Sequence, residues 1–130
     1  MSQQNLERVQ RLYEYLNQGD LDAALAVLDP DVEWRLRADN PDTAMVKGRE
    51  GVRALWAEIT GVLEEFRMEP TEVIDAGEYV VVCVHQVART KGVLVDQREV
   101  HLARLRDGLV IEVREFHEKH EALEAIGREG

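Results

Sequence analysis

The strongest constraint on this chain is the order in which its two hydrophobic periods occur. Up to Phe66 the apolar residues mostly recur at helical spacing; after Pro70 strand patterns run almost to the end. From Asn5 to Gln18, Leu6, Val9, Leu12, Tyr13 and Leu16 form one helical stripe, with Asn5 as cap and Gly19 as stop. Asp20 caps a second, short helix carrying Leu21, Leu25 and Leu28, and Asp29-Pro30 ends it. One strand intervenes, where Val32, Trp34 and Leu36 alternate with Glu33, Arg35 and Arg37. Residues 38 to 47 read as a polar loop around Asn40-Pro41-Asp42. A third helix follows Gly48, with Val52, Leu55, Trp56, Ile59, Leu63 and Phe66 on one stripe. Strands are then expected over 72–75, 79–90, 93–106 and 109–117, with hairpin turns at Ala76-Gly77 and Asp107-Gly108. A tail helix bearing Ala122, Leu123 and Ile126 ends at Gly127.

Helices first and a meander afterwards predict an α+β fold rather than a βαβ one. The expected architecture is a cone-shaped, curved antiparallel sheet packed on three helices, with a short C-terminal helix, forming one domain over residues 1–130. Such curvature makes pockets. The run Tyr79-Val80-Val81-Val82-Cys83-Val84 does not alternate, so both faces of that strand need cover. Helices serve the inner face; a second subunit, giving a homodimer through the outer sheet face, is the economical cover for the other.

Charge narrows the partners. The 26 acidic and 16 basic side chains leave a net charge of −10, which disfavours nucleic acid and anionic membranes. The single cysteine, Cys83, cannot form an intramolecular disulfide. Neither a signal peptide nor a membrane span is legible, so the expected location is cytoplasmic.

Several strings resemble the SnoaL-like branch of the nuclear transport factor 2-like, or ketosteroid isomerase-like, superfamily. They are Tyr13-Glu14-Tyr15-Leu16-Asn17-Gln18-Gly19-Asp20-Leu21-Asp22, Pro30-Asp31-Val32-Glu33-Trp34 and Gly48-Arg49-Glu50-Gly51-Val52-Arg53. Arg106-Asp107-Gly108-Leu109-Val110-Ile111-Glu112 and Phe116-His117-Glu118 also fit. The resemblance implies the fold more strongly than the reaction, because isomerases, cyclases, epoxide hydrolases, dehydratases and non-catalytic binders share this scaffold. Aligned with ketosteroid isomerases, the base position is Leu36, the tyrosine position is Leu12, and the second oxyanion position is His101. Two of those three groups are apolar here. A catalytic aspartate of limonene-type epoxide hydrolases aligns with Glu115, although their Arg-x-Asp pair has no counterpart on 79–90. The single acid–base aspartate of SnoaL-like cyclases also aligns with Glu115.

The strand pattern reaches the same residue. Ile111, Val113, Glu115 and His117 share one face of the last strand. If that face is inward, Glu115 is a carboxylate in an apolar hole, suited to acid–base work near neutral pH. With the opposite phase Phe116 points inward, and Glu115 is a structural partner of an arginine. Alignment with the isomerases implies inward Cys83, His85 and Val87 on one strand, and inward His101, Ala103 and Leu105 on the next. His85, His101 and His117 would then form a row able to polarise a carbonyl, relay a proton, or hold a metal with Glu115. Their spacing is no metal motif, so the expectation is no metal and no cofactor. His120 belongs to the surface.

Leu12, Tyr13, Trp34, Leu36, Leu55, Trp56, Phe66, Cys83, Val87, Ala103 and Val113 are the expected wall. Only one of Tyr13 and Tyr15 can point inward, and Cys83 among valines reads as an inert thiol. Such a wall selects a small apolar molecule held by a few polar groups. Two functions follow: a cofactor-free acid–base enzyme of isomerase, cyclase or hydrolase type, or a non-catalytic ligand-binding or dimerisation domain.

Overall fold

A computed structural model describes residues 2–36 and 45–127. Helices α1 (Ser2–Gln18) and α2 (Leu21–Val27) lead into β1 (Leu28–Arg35); β2 (Met45–Lys47) then precedes α3 (Gly48–Val62). Strands β3 (Glu65–Ala76), β4 (Tyr79–Thr90), β5 (Val93–Arg106) and β6 (Leu109–Phe116) follow, and α4 (Lys119–Ala125) comes last. The six strands form one curved, unclosed sheet in the order β2-β1-β6-β5-β4-β3. All neighbours are antiparallel except β1 and β6, which run parallel. The α+β class and the short terminal helix are as the sequence indicates.

Local chemistry sets the boundaries. The Asp20 carboxylate accepts from the Ala23 amide at 3.2 Å, capping α2. Asn17 pins α1 to the edge strand β3: its amide donates to the Met68 carbonyl and accepts from the Met68 N–H, both at 2.8 Å. That contact also shields part of an otherwise bare edge. Arg49 ties α3 to β1 through two hydrogen bonds to the Leu28 carbonyl, at 2.9 and 2.7 Å.

Several boundaries differ from the sequence expectation. α1 already starts at Ser2, so Asn5 lies inside it rather than capping it, and its side-chain amide donates to the Gly77 carbonyl. α2 ends at Val27, so Leu28, Asp29 and Pro30 open β1 instead of closing the helix. α3 stops at Val62, so Phe66 belongs to a strand rather than to the helical stripe. β3 begins at Glu65 and runs through Pro70, which is tolerated because β3 is an edge strand with a bulge between Pro70 and Glu72. Met45–Lys47 pairs with Glu33–Arg35 instead of remaining loop, while the rest of that expected loop, with Arg37, lies outside the described residues.

The sheet separates two hydrophobic clusters. On the inner face Val80, Val82, Val84, Ala103, Leu105, Val110 and Val113 pack beneath the helices with Leu12, Trp34 and Trp56. On the outer face Val81, Val100 and Leu102 pack against Ala122 and Leu123 of α4. The chain's own last helix therefore supplies much of the outer cover that a second subunit was expected to provide for Tyr79–Val84.

Candidate active site

A cavity of about 220 Å³ lies on the inner face, lined by Leu36, Leu55, Trp56, Ile59, Phe66, Met68, Gln86, Glu99 and Glu115. Its walls are apolar. Trp56 meets Phe66 edge-on with ring centroids 5.8 Å apart, and tilts against Trp34 at 6.1 Å. Among the described residues, its polar groups are two carboxylates and one amide.

Strand phase brings these together, and one hairpin turn and one bulge decide it. The turn Asp107-Gly108 carries φ values of 53° and 81° and pairs Arg106 with Leu109. Continued without interruption, that register would set Glu115 opposite Val100, on the outer face. Ile111 is instead an extra residue: Leu105 pairs with Val110, but Arg104 pairs with Glu112. One residue reverses every later side chain, so Glu115 sits beside His101 and faces the cavity. The same bulge allows Val110 and Val113 both to enter the inner core.

His101 is fully buried and lies behind the carboxylates. Its Nε2 is 2.8 Å from Glu99 Oε1 and 3.8 Å from Glu115 Oε2. Its Nδ1 is 2.5 Å from the Tyr13 hydroxyl. A carboxylate only accepts, so Nε2–H donates to Glu99 and, in the neutral ring, Nδ1 accepts the Tyr13 O–H. Burial, then the negative charges of Glu115 and Glu99, push the Tyr13 phenol well above its ordinary range. The phenol therefore stays neutral and keeps its proton. The Trp34 indole N–H donates to Glu115 Oε2 at 2.8 Å and fixes the carboxylate in place. The two carboxylates thus flank one edge of the buried imidazole, Glu99 hydrogen-bonded to Nε2 and Glu115 3.8 Å from it.

The other expected site residues divide. Leu36, Leu55, Trp56 and Phe66 line the cavity. Leu12, Tyr13, Trp34, Ala103 and Val113 lie in the inner core around it. Cys83, His85 and Val87 do not face it. Val82 pairs with His101, and antiparallel partners share a face, so Val80, Val82, Val84 and Gln86 point inward and the intervening residues outward. His85 is part-exposed and bonds Asp96 at 2.7 Å. Cys83 packs near α4, with its sulfur 3.8 Å from Glu72 Oε1; burial first, then the Glu72 charge, raises its thiol pKa. His117 is exposed because β6 ends at Phe116 and the backbone bends there. The N–H groups of His117 and Glu118 both donate to Glu121 as α4 starts. No row of histidines crosses the inner face; among the expected three, only His101 reaches the site.

Glu99 and Gln86 were missed. Glu99 stands two residues before His101, on the same strand face, so alternation alone was a usable signal. Gln86 follows once His85 is turned outward.

The match to the SnoaL-like domain covers residues 9–113. The chain belongs to this family. Solved structures agree. One is TerC, co-crystallised with polyporic acid: 25% identical, TM-score 0.79, covering 93% of this chain and 98% of that one. A second is an NTF2-like protein of unknown function from Burkholderia pseudomallei, 26% identical, TM-score 0.79, covering 95% and 98%. A third is a putative SnoaL-like polyketide cyclase from Jannaschia, 25% identical, TM-score 0.75, covering 88% and 85%. Curated protein sequences give no match. No helix among the described residues is long and apolar enough to cross a membrane.

Proposed function

We propose that this SnoaL-like protein is a small-molecule enzyme doing cofactor-free acid–base chemistry on an apolar substrate, of isomerase, cyclase or hydrolase type. The observation that carries this reading is the pair Glu99 and Glu115, in a small aromatic cavity, with the buried His101 hydrogen-bonded to Glu99 and 3.8 Å from Glu115. Glu115 takes or gives the substrate proton. Glu99, through His101, supplies the complementary charge, and Tyr13 holds the imidazole. Gln86 orients a polar substrate atom. The volume suits a compact ring system or one end of a longer ligand. That TerC was co-crystallised with polyporic acid supports a small-molecule role for this chain as well. In this reading the protein is one domain, cytoplasmic, and a homodimer through the outer sheet face beyond α4; a monomer in light scattering at micromolar concentration removes the dimer.

The test is a thermal-shift screen of steroids, polyketide fragments and terpenoid epoxides, followed by turnover assays on the hits. Conversion by wild type that survives Glu115→Gln unchanged overturns the assignment. Tight binding without conversion by wild type favours the non-catalytic ligand-binding alternative.

A further inference from the structure

We propose that Glu99, His101 and Glu115 also form a binding site for a divalent transition-metal ion of the zinc type. Each residue offers one donor atom, and the three atoms lie within 4.8 Å of one another. Modest side-chain rotation brings such a set to the roughly 2.0–2.2 Å at which imidazole nitrogen and carboxylate oxygen bind zinc. One imidazole with two carboxylates favours zinc, cobalt or nickel over magnesium, which prefers an all-oxygen octahedron.

Two further features resemble a metal site rather than a chance cluster. Two of the donors are held from behind: Tyr13 contacts His101 Nδ1 at 2.5 Å, and Trp34 donates to Glu115 at 2.8 Å. Partners of this kind orient ligands and set the tautomer. Metal binding moves the imidazole proton to Nδ1, where the Tyr13 oxygen accepts it and Nε2 is released to the ion. Gln86 Oε1, in the wall of the same cavity, is buried and has no hydrogen-bond partner among the described residues. It is placed to accept from a water or hydroxyl carried by the ion. Among the described residues three protein ligands then hold the ion, with a further position facing the cavity.

The binding rests on the donor set alone. Its consequence rests on the acid–base reading: the ion takes the lone pairs that the proton uses, so bound zinc inhibits turnover. Calorimetry with zinc chloride on the intact protein, and visible spectroscopy with cobalt(II), test the binding. The expected result is one ion per chain, a thermal shift reversed by EDTA, and no response to magnesium. Glu99→Gln and Glu115→Gln each abolish or strongly weaken it, Tyr13→Phe weakens it about 10- to 100-fold, and His120→Ala leaves it unchanged. No heat and no cobalt spectrum with folded wild type overturns the site, as does binding that persists in both glutamine variants. Zinc that binds without inhibiting an established turnover leaves the site standing and contradicts the acid–base reading instead.

Discussion

His101 and His85 occupy neighbouring strands of one sheet, yet they live in different solvents. His101 is fully buried between Tyr13 and Glu99, beneath Trp34. His85 lies on the opposite face, with 30% of its side chain exposed, and pairs with Asp96, itself 57% exposed. Both histidines have a carboxylate partner. What differs is the dielectric around the pair: the inner partnership is screened little, whereas the outer one competes with water. The contrast shows that strand phase, not residue type, decides whether an imidazole is buried behind the cavity or left at the surface.

The largest expected effect separates the faces by activity. With a substrate in hand, Glu115→Gln should cut kcat/KM by roughly two to four orders of magnitude, and His85→Ala should leave it within about twofold, as expected for a surface change. Comparable losses in both variants would break the comparison.

Stability comes next. Trp34→Ala removes a ring that is 1% exposed and should cost about 3–5 kcal/mol in urea unfolding. Tyr13→Phe, which deprives the buried imidazole of one hydrogen bond, should cost about 1–3 kcal/mol. His85→Ala, on the wet side, should cost less than about 1 kcal/mol. Equal costs for Tyr13→Phe and His85→Ala would mean that the inner network is no better isolated than the outer pair.

The third effect appears only in alkali. In the unfolded chain a tyrosine ionises near pH 10, and in the fold Tyr13 holds its proton to higher pH. The folded state thus binds the extra proton above pH 10, and stability falls as pH rises through that window. It is fully present below. The stability gap between wild type and Tyr13→Phe should therefore be flat at neutral pH and narrow above about pH 10. A gap that widened would reverse the assignment.

The smallest effect belongs to Cys83. Its raised pKa predicts slower alkylation at pH 8 than a model thiol shows. Glu72→Gln, which removes the charge beside it, should speed the reaction modestly.

Much of the fold was legible because its signals are local: helical stripes, the Asp20 cap, and Asp107-Gly108 at a hairpin. Glu115 was legible as a residue but not as an inward one, since its orientation depends on the extra residue Ile111, which no turn or proline marks. The phase of β4 was within reach. Lys91-Gly92, with φ values of 49° and 78°, pairs Thr90 with Val93, and that register runs unbroken to Val82 opposite His101. With His101 inward, the two-residue turn already turns His85 outward. Alignment to isomerases suggested the reverse, and the hairpin was the better guide. The outer cover was not legible from β4 alone, because it depends on where α4 docks.

One structure would test the central claim most directly: a crystal of the protein with a hit from the thermal-shift screen. The account predicts the ligand between Trp56, Phe66 and Leu36, with a polar atom within hydrogen-bond distance of Glu115. A ligand seated instead in the larger groove between α1 and β3, about 460 Å³ beside Gln10, Asn17 and Arg67, would contradict it.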